Sequence, residues 1–277
     1  MIDQSEHTLV IEAGHTELHY WKDLWRYREL FYFLSWRDIL VRYKQTAIGI
    51  SWSVIRPVLT MVVFTIVFGK LAKLPSEGVP YPILVFSAML PWQFFANSLS
   101  ESSNSLLANA NMLSKVYFPR LIIPSSAVIV SLVDFFISLI ILVVLMIWYQ
   151  FMPGWRIFAL LPFLGLALFA SLGFGLLLAA LNVKYRDFRY IVPFIVQFGL
   201  FISPVGFSSS IVPEKWRIVY SLNPMVGVID GFRWAILGEA MKIYVPGFAL
   251  SLLVNVAILI LGVSYFRRTE RKFADII

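Results

Sequence analysis

Cysteine is absent from the 277 residues, which excludes a disulfide framework, a thiolate nucleophile and a cysteine-based metal site. Charge is scarce: 14% of residues are Asp, Glu, Lys or Arg, against about a quarter in soluble domains. The three histidines, His7, His15 and His19, sit in the N-terminal stretch with no metal-ligand spacing. No Gly-x-x-x-x-Gly-Lys-Ser/Thr loop exists, because Gly69–Lys70 is followed by Leu71 and lacks the upstream glycine; a phosphate cradle needs those glycines for close backbone approach. The loop acids Glu101, Asp187, Glu214, Asp230 and Glu239 form no Asp-x-Asp pair. That argues against a membrane enzyme acting on lipid-linked sugars, which needs clustered carboxylates or a metal site. No internal repeat is visible, which counts against inverted-repeat transporters. Residues 1–20 are polar without a basic start and an apolar core, so no cleaved signal peptide is expected there.

What the chain has instead is apolar length. It is 59% hydrophobic with a mean hydropathy of +0.78, and runs of about 20 apolar residues suffice to cross a ~30 Å hydrocarbon core. Six spans are expected, at Ile48–Phe68, Tyr81–Ala96 (running on towards Leu107), Pro124–Trp148, Phe158–Leu181, Ile191–Phe207 and Pro246–Tyr265. Pro91 is expected to interrupt the second, and Pro204–Val205–Gly206 to weaken the end of the fifth. The net charge of +7 reports loop orientation here instead of a nucleic-acid partner. Fifteen Lys and Arg fall on the side of the two termini and seven on the other, which places both termini in the cytoplasm. The expected organisation is a tail over 1–21, an amphipathic interface helix over 22–47, a six-span domain over 48–266 and a second tail over 267–277.

In that interface helix Trp36, Ile39, Leu40 and Tyr43 fall on one face and Arg37, Asp38, Arg42 and Lys44 on the other, the pattern of a helix lying in the membrane interface. The alternative is an extension of the first membrane helix. The connection Asn109–Pro124 carries an apolar and aromatic centre flanked by Lys115 and Arg120, where an ordinary loop is polar. Such a segment suits docking into another protein or anchoring at the headgroups. Ser208–Val245 is long and too apolar to lie free in water. It is read as two short helices dipping back into the outer leaflet around Asn223–Pro224.

Two ionisable residues fall inside spans, where they are expensive and mark functional candidates. Arg56 is roughly 12 Å in from Ile48 and Asp134 roughly 15 Å in from Pro124, so an Arg56–Asp134 pair is expected; Asp134 as a proton carrier is the competing idea. Aromatics make up 16% of residues. Trp92, Phe94, Phe95, Trp148, Tyr149, Trp155, Trp216, Tyr220 and Trp234 cluster near span ends, as in an interfacial belt. Phe198, Phe201, Phe207, Trp216 and Tyr220 are singled out as a glycan path, since sugars pack their C–H faces on rings.

Four stretches carry a family resemblance. These are Arg37–Asp38 with Arg42–Tyr43–Lys44, Gly49–Ile50–Ser51–Trp52 and Pro57; Lys115–Val116–Tyr117–Phe118–Pro119–Arg120 to Pro124; Asn182 with Tyr185–Arg186–Asp187 and Ser203–Pro204–Val205; and Asn223–Pro224 to Arg233. In order and spacing they resemble the permease subunits of ABC-2 type polysaccharide exporters, the O-antigen branch above all. The resemblance implies an all-α membrane fold with an interfacial helix, a coupling helix contacting an ATPase subunit through Met112, Leu113, Lys115, Tyr117, Phe118 and Arg120, and gate helices between spans five and six. It implies a non-enzymatic permease in the inner membrane, working as a homodimer with two nucleotide-binding subunits that hold ATP and Mg. The cargo would be a lipid-linked polysaccharide. The alternative is an ABC-2 exporter of small hydrophobic compounds or ions, because a fold does not fix its cargo.

Overall fold

The computed structural model describes residues 17–44, 49–113, 115–185 and 187–273, and among these all regular structure is helical. In chain order the helices are α1 (Glu17–Arg26), α2 (Arg28–Lys44), α3 (Gly49–Phe64), α4 (Tyr81–Ala108), α5 (Ala110–Leu113), α6 (Ile122–Trp148), α7 (Leu160–Lys184), α8 (Phe188–Ile202), α9 (Glu214–Tyr220), α10 (Pro224–Leu237) and α11 (Val245–Thr269). A π-helical turn, Thr65–Leu71, extends α3, and a 3-10 turn, Trp155–Ala159, leads into α7.

Five of these units are long and apolar enough to cross a membrane: Ser51–Leu71, Tyr81–Ala108, Ile122–Trp148, Trp155–Lys184 and Val245–Thr269. The fifth expected span departs from its boundaries. Its helix starts earlier and stops at Ile202, because Pro204 cannot continue the hydrogen-bond ladder and disfavours helical geometry at Ser203. Pro91, by contrast, lies inside one uninterrupted helix that runs to Ala108.

α4 is the axis of the bundle. Its most apolar window is 83% buried, whereas that of the α3 unit is 17% buried, so the first span packs at the periphery. α6, α7 and α10 surround α4, and Phe94, Phe135 and Phe232 meet edge-to-face at 5.9 and 6.1 Å between ring centres. Trp92, Phe94 and Phe95 are thus core residues and not part of an interfacial belt. Trp148 and Trp155 are exposed at the far end of the bundle.

α7 and α11 approach through glycine. A Cβ on Gly262 would run into the Gly173 carbonyl, and one on Gly173 would lie 2.8 Å from the Leu259 backbone nitrogen. Small residues at such a crossing let two backbones come together where lipid supplies no hydrophobic drive.

The end of the bundle where α2 meets the end of α11, the basic end, has its own apolar cluster, including Leu34, Phe118, Ile122, Phe266 and Phe273. The expected single interface helix is two helices that break at Tyr27, and α1 begins within the expected N-terminal tail. Residues 45–48 of that segment, together with His7, His15 and Arg186, lie outside the described residues. The expected C-terminal tail also folds back: Phe273 is buried with its ring 5.4 Å from that of Phe266.

Candidate functional site

The charged face of α2 turns inward. Arg37 donates to the Asn109 Oδ1 at 3.0 Å and also contacts Asp38. Arg42 reaches Asp134 on α6 at 2.8 Å and Glu101 on α4 at 3.6 Å. The Asp134 carboxylate accepts from the Tyr43 hydroxyl at 2.5 Å and from the Ser53 hydroxyl at 3.0 Å. Burial, then the bond to Asp134, raises the Tyr43 phenol above the usual tyrosine range, which keeps it a proton donor. Of the residues expected on its apolar face, Trp36 and Leu40 are exposed, whereas Ile39 and Tyr43 are half-buried.

The expected Arg56–Asp134 pair is therefore replaced. Asp134 is held by Arg42, which α2 delivers from outside the span, while Arg56 is exposed and lies over the Trp52 ring at 5.8 Å. Arg56 and Asp134 still line one cavity of about 330 Å³ between α3, α4 and α6. Matching depth along two helices does not fix azimuth; among the described residues the ion pair to Asp134 comes from Arg42 and none is formed by Arg56.

The connection after α4 divides its residues by exposure. Lys115, Val116 and Tyr117 are exposed at its tip, and Met112 and Arg120 are half-buried. Leu113 and Phe118 are core residues of the basic end, so they back the tip and do not present a surface themselves. The helical part is one short turn, Ala110–Leu113. Arg120 donates to the Glu270 carbonyl after α11. Tyr20 of α1 donates to the Glu270 carboxylate at 2.9 Å, with the Arg267 guanidinium 3.9 Å over its ring. Burial is the first cause lifting both Tyr20 and Glu270 above their ordinary ranges.

At the opposite end, the third and fourth stretches meet. Arg233 on α10 is 1% exposed and donates to the carbonyls of Leu84 (3.2 Å), Phe207 (2.7 Å) and Val205 (3.0 Å). Asn223 caps α10 by accepting from the Met225 amide at 3.0 Å and donates to the Ser203 hydroxyl at 3.0 Å. Tyr81 donates to the Gly206 carbonyl and Tyr220 to that of Ile202, at 2.7 and 2.8 Å. The 202–207 segment thus leaves the helix and is held by side chains from α4, α9 and α10. Asn182 donates to the Ser103 carbonyl at 2.9 Å, fastening α7 to α4.

Of the aromatics singled out for a path, Phe198, Phe201 and Trp216 are exposed, and Phe207 and Tyr220 are half-buried. The Phe194 and Phe198 rings lie 4.2 Å apart, tilted by 35°, and Phe201 lies 6.4 Å from Phe64 of α3. Sequence reasoning missed the anchoring role of Arg233, although an arginine in the mostly apolar stretch Val228–Leu237, with Asp230 its one other charge, was a signal for it. The partnership of Tyr20 with Glu270 had none, since 250 residues separate them.

Comparison with known proteins follows the same outline. The model of the family described as ABC-2 type transporter matches residues 29–237. The chain is 29% identical over 257 residues to the O-antigen export system permease protein RfbA of Myxococcus xanthus, covering 92% of this chain and 97% of that one. It is 24% identical to the RfbA protein of Klebsiella pneumoniae, over 90% and 95% of the two chains. With the polysialic acid transport protein KpsM of Escherichia coli it shares 22% identity over 84% and 91%. The chain belongs to the ABC-2 type transporter family.

Proposed function

We propose that two copies of this chain form the membrane part of an ATP-driven exporter. With two ATP-hydrolysing subunits they move a lipid-linked polysaccharide of the O-antigen kind from the cytoplasmic to the outer face of the inner membrane. The observation that carries this is the similarity to O-antigen permeases along nearly the whole of both chains. ATP and its Mg²⁺ bind on the partner subunits.

In this reading the basic end is cytoplasmic, in line with the Lys/Arg asymmetry. α8 and the 203–207 segment together make a fifth crossing between α7 and α11, and α9 and α10 dip into the outer leaflet as gate helices. The exposed tip Lys115–Tyr117 seats in the ATPase subunit. Its push reaches the bundle through Phe118 in the apolar cluster behind it and through Arg120 to the end of α11. Phe198 and Phe201 on α8 and Trp216 on α9 offer apolar faces along which sugar rings slide, each contact too weak to trap the chain.

Deleting the gene tests the reading. Surface polysaccharide should vanish while its lipid-linked form accumulates inside, and restoring the chain should reverse both. Trp216→Ala should reduce surface glycan and leave resistance to small hydrophobic compounds untouched. A normal surface coat in the deletion strain overturns the proposal.

A further inference from the structure

A second cavity, of about 370 Å³, opens beneath the Ser208–Ser210 turn, near the start of α11. This is within the range of small-ligand sites, which are largely apolar with a few convergent polar groups. Its two walls differ in chemistry. Met241, Ile243 and Phe248, from the connection to α11 and its first turn, make one side apolar. The other side presents two carboxylates from distant parts of the chain: Glu77, between α3 and α4, and Asp230, on α10.

Neighbouring serines hold these carboxylates. Ser210 donates to Glu77 at 2.6 Å and Ser209 to Asp230 at 2.7 Å. An ionised carboxylate offers about four acceptor positions, so each has acceptor capacity beyond its serine bond. Two of the donor side chains on the lining spend hydrogen bonds inside the protein. Arg217 gives its guanidinium to the Val212 and Ser210 carbonyls, both at 2.9 Å, and Tyr220 gives its hydroxyl to Ile202. Arg217 and the exposed Lys242 at the rim balance the two negative charges, so the field does not select a cation. Among the described residues no three acidic, His or Cys side chains gather closely enough to hold a metal ion. The complementary ligand is neutral, rich in hydroxyl donors along one edge and apolar on one face.

We propose that this cavity binds a single pyranose ring, its hydroxyls donating to Glu77 and Asp230 and its C–H face against Phe248. The chemistry of the site stands apart from the export reading; the assignment of the ring to the transported chain rests on it. The ring comes either from the emerging polysaccharide or from free saccharide at the outer face.

The test uses the complex with its ATPase subunit in lipid nanodiscs and saturation-transfer NMR. The probes are the methyl glycosides of glucose, galactose, mannose and N-acetylglucosamine, and lipid-free polysaccharide from the producing cell. Ring-proton saturation is expected for at least one probe. Asp230→Asn and Glu77→Gln should each weaken binding about tenfold, as loss of a hydrogen bond to a charged acceptor implies. Ile243→Trp, which fills the cavity from the wall that carries no polar bond, should abolish it, and Met152→Ala, exposed elsewhere, should not alter it. If the same variants slow export, the ring belongs to the emerging chain; if export is unchanged, it belongs to free saccharide. Either result supports the site. Absence of saturation with every probe, or binding that survives Ile243→Trp, overturns it. Binding in a protein that exports no glycan would sink the export reading and leave the site standing.

Discussion

Replacing Arg233 by methionine keeps an unbranched apolar stem and removes all the donors. Three carbonyls then lose a charged partner, and two of them, Val205 and Phe207, belong to backbone outside any helix. Hydrogen bonds to charged groups contribute about 1.5–3 kcal/mol each, so the gross loss is large. Against it stands relief: a buried guanidinium carries a desolvation penalty of several kcal/mol, and methionine has none. The unmet carbonyls decide the sign, since removing one partner of a buried polar set typically costs about 3–5 kcal/mol. We expect a net loss near 3 kcal/mol, which in a protein of this size lowers the melting midpoint by roughly 6–12 °C. Fluorescence-detected size-exclusion after heating, on protein in detergent, measures it. Arg233→Lys should fall between, because an ammonium cannot fork across three carbonyls. Arg156→Met, which removes only a cation stacked 5.2 Å over Trp234, should barely change the midpoint. A methionine variant that melts with the wild type would refute the reasoning.

The remaining expectations follow from the other contacts. A double-mutant cycle on Arg42 and Asp134 should give a coupling of about 0.5–3 kcal/mol, with no comparable coupling between Arg56 and Asp134. Tyr117→Ala should lower export and ATPase coupling without moving the melting midpoint, whereas Phe118→Ala should cost about 3–5 kcal/mol of stability, read by the same melting assay. Gly262→Val should overpack the α7–α11 crossing and destabilise by about 1–3 kcal/mol or more, since backbone and not a side-chain tip must yield. The absence of native cysteine makes orientation simple to test: Met152→Cys should react with an impermeant maleimide on intact cells, and Tyr185→Cys only after permeabilisation.

Length and apolar composition were enough to place most spans, because a helix that must satisfy its own backbone in lipid leaves a long unbroken signal. They were weaker where a proline sits in the run. Pro91 is carried inside α4 by neighbours on all sides, whereas Pro204 ends α8, and nothing local distinguishes the two. The candidate site was legible as a set of stretches but not as a set of contacts. Asp134 stood out because a buried charge needs a partner, yet that partner came from α2, on the far side of the residue 45–48 connection. Leu113 and Phe118 were indistinguishable from Tyr117 by composition; only the fold, by building an apolar cluster behind the tip, separates residues that support the surface from those that form it.

The length of α8 explains why the last two stretches belong together. Fifteen helical residues rise about 22 Å, short of the ~30 Å core, and the chain then leaves the helix while still among packed elements. Backbone in that setting must find its hydrogen-bond partners within the protein. The carbonyls of Ile202, Val205, Gly206 and Phe207 find theirs in Tyr220, Arg233, Tyr81 and Arg233 again, and Ser203 is tied to Asn223. Residues 202–207 and residues 220–233 are thus two halves of one fastening, one supplying open acceptors and the other, with Tyr81, the donors. The fastening also restricts movement. The end of α8 cannot shift away from α10 without stranding a buried guanidinium and the carbonyls it serves, so the two must travel as a unit, and any gate built from α9 and α10 opens only with α8.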